Sequence, residues 1–577
     1  MKQTLKYESE QPNSLYDPNG SFQSINRRYD IVYGDVMLNF NYNINRFDIA
    51  ATVGWTGRYE NMNNIRVSTN GGLVTENWFD LNASRYTPSS TLQRMELLKT
   101  GYMGTLSLGW DNYLFLELTG RQERSSTLKD QSFFYPSANL SFLFTQAFHM
   151  PSWWNYGKLR LSYGIVGNAP ETYTANIVYE QGSDNGFTWN TIPSSWGNAD
   201  IHPEKKYEYE IGLESKFLNN RLGIDVSYYN NRVKDQILST PQPSTSGVKN
   251  VLMNVGEVAN HGWDISISAT PILTRDFRWN LTANYGVYKN KVVKLADGVP
   301  YLEILNSGGS GIKIQAVEGQ PMGDIYAQVP QVNENGEYLV SDKGLYLNQT
   351  ELQKVGNINP AGVGGLFNSF SYKNVFLDFS IDFRIGGDVI NEMNQYATAV
   401  GLTPESLKYR DTEHGGLSYY YPGDNNSSGI PVQVDPSTGA GPNGEIIYHD
   451  GIILPGVVAS TGERNTRIIP AGYYYNTTYN WGTEAEQLTY RHSVFDNSYV
   501  KLRELTIGYQ FPEKMISKLG LGRLSVSVFG RNLFYFYKAL KNYDAESSVG
   551  TSWANQATVG SSTTATRSFG VSLRASF

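Results

Sequence analysis

Apolar and polar side chains alternate strictly along most of this chain, in runs of about nine or ten residues closed by turn residues. Phe47, Ile49, Ala51, Val53 and Trp55 alternate with Asp48, Ala50, Thr52, Gly54 and Thr56. Leu159, Leu161, Tyr163 and Ile165 do the same against Arg160, Ser162 and Gly164. The runs at Tyr207–Phe217, Trp279–Val287 and Val375–Phe383 repeat the pattern. A period of two places one set on each face of a sheet, so these segments are strands with one apolar and one polar face. Many carry an aromatic residue near an end, as a membrane-interface girdle requires, and the polar face holds charges as well as Ser and Thr.

Connections are predicted to alternate in length. Short ones fall at Asn43–Asn45, Asp111-Asn112, Leu218–Asn220, Thr274–Asp276 and Lys373-Asn374, with longer closures near 150–157 and 512–522. Long polar loops fall between them, at 61–91, 167–203, 231–261, 290–364, 387–497 and 533–566. Short turns on one side and long loops on the other describe an antiparallel transmembrane β-barrel of the bacterial outer membrane, its short side in the periplasm. A soluble sandwich shows the same alternation but has no reason to sort its loops.

About fifteen membrane-length strands are expected, the last at Ser568–Phe577. With a short first connection, the first strand runs inward from outside, and an odd count leaves the C-terminus in the periplasm. Single-chain bacterial barrels have even counts, and an open edge in lipid leaves backbone groups unpaired. The expectation is therefore part of a larger barrel, with an odd number of further strands elsewhere.

Composition narrows the chemistry. The 577 residues include 41 Tyr and 11 Trp but no Cys, and only 18% are charged, with a net charge of -7. The absence of Cys excludes disulfides, thiolate zinc sites and cysteine nucleophiles. The mild acidity gives no support for nucleic-acid binding. No run reaches the ~18 apolar residues of a spanning helix, which leaves strands as the way across lipid. Six scattered His residues lack metal spacing, and no nucleophile elbow, phosphate loop or zincin motif is present. Glu208 and Glu210 share one strand face instead of opposing each other across a cleft. An enzyme is not expected, nor a cofactor.

Four blocks are more specific. The first runs Val317-Glu318-Gly319-Gln320-Pro321-Met322-Gly323, then Val355-Gly356-Asn357-Ile358-Asn359-Pro360, leading into Gly364–Asn374 and Arg384-Ile385-Gly386-Gly387-Asp388. The second is Asp496–Leu505, continuing to Pro512; the third is Phe529-Gly530-Arg531-Asn532-Leu533; the fourth pairs Asn254-Val255-Gly256 with Asn260–Trp263. Read locally, Gly356–Pro360 is a turn cluster ending a loop, and Arg384 and Arg503 fall where inward charge would meet a lumen or plug. In order and together, the blocks make residues 27–577 resemble the C-terminal portion of SusC-like TonB-dependent outer-membrane transporters of Bacteroidota.

The resemblance implies a barrel of about 22 strands around a plug. Plug and TonB-contact segment are not seen, so 27–577 is expected to be a partial barrel and 1–26 an extracellular loop or linker remnant. It also implies import of oligosaccharides or oligopeptides, a SusD-like surface lipoprotein as partner, and the TonB complex acting through the missing N-terminal part. Lipid is the other partner, and nucleic acid is none. A passive porin or surface adhesion barrel is the alternative. Candidate contacts for substrate or partner are Tyr419, Tyr420, Tyr421, Tyr473, Tyr474, Tyr475 and Trp481, whose flat rings suit sugars, peptides or protein surfaces; packing within the loop is the competing role. In the last strand Phe569, Leu573 and the terminal Phe577 resemble the signal read by the barrel assembly machinery.

Overall fold

The computed structural model describes residues 2–9, 20–129, 132–184, 186–242, 245, 247–307, 311–423, 429–480, 489–548, 552–559 and 565–577. One antiparallel sheet of 16 strands dominates it. The sheet strands are β1 (Lys2–Ser9), β2 (Ser21–Ile44), β3 (Phe47–Leu73), β4 (Ser84–Trp110), β5 (Leu114–Ser125), β6 (Ser132–Phe142), β7 (Trp154–Asn168) and β8 (Glu204–Phe217). They continue as β9 (Leu222–Lys234), β10 (Glu257–Leu273), β11 (Phe277–Lys294), β12 (Gly362–Tyr372), β13 (Val375–Ile385), β14 (Tyr499–Gln510), β15 (Arg523–Lys538) and β16 (Ser568–Ser576). Sequence order is sheet order throughout, the meander that antiparallel hairpins generate. Setting aside the eight-residue β1, fifteen strands remain, as the alternation predicts.

The two faces separate as expected. Leu161, Tyr163, Ile211, Leu213, Ile507, Val528 and Leu573 are all exposed, on the face that lipid covers. The opposite face carries the charges and meets the lumen. At the short-turn end, rings stack across neighbouring strands: Phe47 on Trp110 at 6.4 Å, Trp153 on Phe217 at 5.9 Å and Trp279 on Phe370 at 5.5 Å. Such pairs add about 0.5–1.5 kcal/mol beyond their burial and mark the interfacial girdle. The turns there are tight because their residues accept left-handed backbone. Asp111 and Asn112 both have positive φ in the three-residue connection 111–113 that closes β4 onto β5.

Three expectations give way. The predicted loop 61–91 is largely strand: Asn61–Ser68 of β3 pairs residue by residue with Ser89–Glu96 of β4. Outside lipid a ladder needs no apolar alternation, so the pattern that marks the membrane part falls silent there. Residues 1–26 contain β1 and the start of β2, paired Lys2 to Arg28 through Ser9 to Ser21, so the boundary at residue 27 falls inside a strand. The connection between β5 and β6, residues 126–131, breaks the long-loop rule on the outer side.

The outer loops fold together. Strands Tyr301–Ser307, Ile312–Val317, Asp324–Ala327 and Gln353–Asn357 form a sheet whose core of Ile312, Ile314, Ile325 and Ile358 includes Ile390, Tyr490 and Val494 from the next long loop. Helix Glu392–Ala399 starts on Asn391, whose side chain accepts the Asn394 N–H.

Candidate functional site

Two regions have the geometry for a transport role: the lumenal wall and the loop body at its outer mouth. The wall is built by parity. Once the apolar set faces lipid, Arg160, Ser227, Asp264, Gly286, Val363 and Arg384 must share the other face across β7 to β13, and the register places them in nearly one row. A cavity of about 750 Å³ lies along this row, lined by Arg160, Asp225, Asp264, Ser266, Asn284, Gly365, Asp382 and Tyr499 among others. Gly and Ser in its lining leave it room, and Arg160, Asp225, Asp264 and Asp382 bring charge to it.

Part of that charge is paired locally. Arg160 donates to both carboxylate oxygens of Asp225, at 3.1 and 2.7 Å. Arg58 meets Glu60 at 2.6 Å and Arg121 meets Glu123 at 2.9 Å, each pair two residues apart on one strand face. Arg531 meets Glu504 at 2.9 Å. These pairs leave hydrogen-bonding groups on the wall that suit polar solutes, and Asp264 stands in the cavity lining with no ion pair among the described residues.

At the mouth, the motif residues act as staples. Asn357 donates from its carboxamide to the fully buried Asp324 at 2.7 Å, and Lys354 meets Asp324 at 2.7 Å. Asn359 donates to the Met322 carbonyl at 2.6 Å and accepts from the Tyr288 hydroxyl of β11 at 2.8 Å. The Gly-Asn-Ile-Asn-Pro block therefore ties the first loop sheet to the barrel. Arg384, expected to meet a lumen or plug, donates to the carbonyls of Gly386 and Ile358 at 3.1 and 3.0 Å. Arg503 sits at a bulge in β14 and donates to Asp382 at 2.6 Å and to both carboxylate oxygens of Glu546, at 2.8 and 2.5 Å. Lys501, 1% exposed, donates to Glu546 at 2.6 Å. The Arg503 hydrogen bonds, backed by Lys501, hold the Glu546 carboxyl down at about 2 against the opposing cost of burial.

The candidate aromatics divide. Tyr419 and Tyr421 are buried, and with Tyr448 they form a ring cluster with centroids 5.5–5.9 Å apart. Tyr475 is buried in helix Ala471–Tyr479, its hydroxyl donating to the Glu405 carbonyl at 3.0 Å; burial pushes its phenol up to about 12. Tyr473 and Tyr474 pack against the core of Leu345, Ile452, Leu454 and Ile469. Tyr420, Tyr473 and Tyr474 are half-buried, and Trp481 lies outside the described residues. Beside them His492 stacks flat on Tyr479 at 4.3 Å, and burial lowers it to about 4, so it is neutral at neutral pH. On β16, Phe569 and Leu573 are 74% and 67% exposed, on the lipid side as the alternation predicts, and Phe577, just past the strand, is 99% exposed.

Sequence reasoning missed Glu546, Lys501 and the Tyr288–Asn359 staple. Strict parity would put Lys501 on the face of Leu505 and Ile507; the bulge at Arg503, which the alternation does not announce, turns it to the lumenal side, and Glu546 lies in a loop where no periodicity points to a partner.

Comparison with known proteins gives one answer at three levels. The family described as "TonB dependent receptor-like, beta-barrel" matches residues 2–328. TonB-dependent receptor P3 of Formosa agariphila is 24% identical over 494 residues, covering 78% of this chain and 42% of that protein. TonB-dependent receptor SusC of Bacteroides thetaiotaomicron is 29% identical over 247 residues, 39% of this chain and 24% of that protein. The chain thus spans less than half the length of the curated relatives it matches. In fold it is similar to the structure of the RagAB peptide transporter, with a TM-score of 0.66 at 18% identity over 92% of this chain and 55% of that one. With an alternating meander, a lipid-facing apolar surface and ion pairs on its lumenal wall, this chain belongs to the TonB-dependent receptor-like β-barrel family and resides in the outer membrane.

Proposed function

We propose that the chain forms barrel wall and outer mouth of a SusC-like importer for oligosaccharides or oligopeptides. Energy comes from TonB through a plug, and a SusD-like surface lipoprotein covers the loops. The observation that carries this reading is the stapled loop body within residues 290–364 and 387–497, which builds a folded outer surface over a polar wall. A simple pore needs the wall but not such a body. The half-buried Tyr420, Tyr473 and Tyr474 remain candidates to contact substrate or lipoprotein, while Tyr419, Tyr421 and Tyr475 support the loop beneath them.

Uptake assays on intact cells test this. Cells carrying the full gene are compared with a deletion strain and with a strain lacking TonB, each supplied with labelled oligosaccharide and oligopeptide pools. Uptake of one pool is expected to disappear in both altered strains. Uptake that needs the gene but survives loss of TonB would return the passive porin, and uptake independent of the gene would favour the adhesion barrel.

A further inference from the structure

The outward face of β8 to β11 changes character at one depth. Trp279 stands in the girdle at the short-turn end, and Lys289 lies ten residues beyond it on the same face of β11. On β9, Arg232 lies ten residues beyond Leu222, which pairs with Phe217 of that girdle. A tilted strand crosses the hydrocarbon in about 9–11 residues, so Lys289 and Arg232 stand at head-group depth on the outer side. The register sets Lys205 opposite Lys234 and His261 opposite Lys289, while Ala259 lies between Arg232 and Lys291.

Five Lys and Arg side chains thus share one outward patch with a single carboxylate, Glu257, which Arg232 meets at 3.0 Å. Arg232, Lys234, His261, Lys289 and Lys291 are exposed. Rings lie just beneath: Tyr228 and Trp263 have centroids 4.9 Å apart, and Lys234 sits over Tyr207 at 5.9 Å. The Asn260–Trp263 block splits accordingly, with Asn260 and Gly262 toward the lumen and His261 and Trp263 outward. Like charges directly opposite each other on paired strands are unfavourable, and Lys205 and Lys234 have that arrangement, with no ion pair for either among the described residues. The patch is local. At the same depth and on the same face, β13 carries Ile385, ten residues beyond Val375, and β12 carries Gly362, ten residues before Tyr372.

We propose that this patch holds the phosphorylated head group of an outer-leaflet lipid. Arg232 offers its planar fork to phosphate oxygens, and Lys234, Lys289 and Lys291 add point charges around them. The acyl chains lie below, against Tyr228, Trp263 and the apolar side chains that follow them toward the girdle. Position identifies the occupant: a side chain at this depth on the lipid-facing surface meets head groups, and a cluster of cations selects those that carry negative charge. An anion between Lys205 and Lys234 also removes their mutual repulsion. The inference needs only the outer-membrane barrel, not a particular substrate or energy source.

The test titrates the full gene product, purified in neutral detergent and freed of lipid, with diphosphoryl lipid A and with the same lipid stripped of its phosphates. Bound lipid is counted by native mass spectrometry on protein whose folding is scored by heat-modifiable gel mobility. The diphosphoryl form is expected to bind at least about tenfold more tightly than the stripped form. Lys289→Gln combined with Lys291→Gln is expected to lower its affinity about tenfold. Arg232→Gln combined with Lys234→Gln should do the same from the neighbouring strand, which keeps the test decisive if one variant assembles poorly. Arg124→Gln, an outward cation on β5 away from the patch, should leave the affinity unchanged. Unchanged affinity in both double variants, or an equal loss in Arg124→Gln, would overturn the site. Displacement of the lipid by equimolar inorganic phosphate would overturn it too, by showing a site for the free anion. The importer proposal stands whichever result is found.

Discussion

At Leu573 one side chain faces lipid from the last strand. Leu573→Arg is expected to cost about 2–4 kcal/mol near the bilayer midplane and less toward an interface, measured by reversible unfolding of the full protein in bilayers. Phe577 ends the same face, and deleting it is expected to lower the amount of assembled barrel far more than Ser576→Ala does. Equal amounts would show that the terminal ring is no assembly signal. The lipid-facing position of Leu573 was legible from alternation alone, because lipid enforces it, whereas the signal role of Phe577 came only from a resemblance. Glu546 was not legible, since its partners are set by where a loop folds back. Its titration has a definite sign. The folded carboxyl is held at about 2, below its unfolded value, so its contribution is complete above the unfolded value and is lost as pH falls toward 2. The charged or titratable groups around it are Lys501, Arg503 and Tyr499 of β14, Asp382 of β13 and Asp544 of its own loop. Hydrogen exchange in this loop is thus expected to stay slow from pH 7 to about 5 and to accelerate only in stronger acid. Acceleration already between pH 7 and 6 would mean that another group controls it.

Elements in the loops obey a different rule from those in the wall. Helix Ala471–Tyr479 holds three consecutive tyrosines that read from sequence as a binding surface, yet Tyr475 is buried and hydrogen-bonded while Tyr473 and Tyr474 pack on a core. An aromatic triplet on a helix must turn its rings to different sides, since adjacent residues are about 100° apart, and the sequence does not say which side is covered. Tyr475→Ala is expected to cost about 3–5 kcal/mol of loop-body stability by leaving a large void, read as faster proteolysis of the outer loops on whole cells. Tyr420→Ala should leave proteolysis unchanged and, if the ring contacts substrate or lipoprotein, weaken that binding. The reverse ranking would exchange their roles. Polar strands were hidden for a related reason. The ladder at Asn61–Ser68 has no apolar face, so only its pairing partner reveals it.

For the molecule as a whole, the sheet order runs from β1 to β16, and each has one neighbour among the described residues. β1 pairs with Ser21–Arg28 alone, so one side of Tyr29–Ile44 in β2 has no described strand beside it, and its side chains are exposed on both faces. In lipid such an edge leaves backbone groups without partners at a cost of several kcal/mol each. This chain refolded alone in detergent is therefore expected to give no heat-resistant, conducting monomer. A sealed pore from these residues would overturn that and require β2 and β16 to meet.

The length of β3 and β4 carries a last consequence. Each has 27 residues, and their paired outer segments extend beyond the girdle by about a dozen residues, roughly 40 Å at ~3.3 Å per residue. The far end carries its own small core of Phe22, Leu73 and Ala83, with Phe79 and Leu81 packed on it. A mast of that length carries its tip away from the membrane, where binders arriving from outside can reach it. The exposed Glu76-Asn77 step at that tip becomes a natural place to display a foreign epitope. A short tag inserted there should be stained on living cells at full intensity, and staining only after permeabilisation would show that the mast lies down.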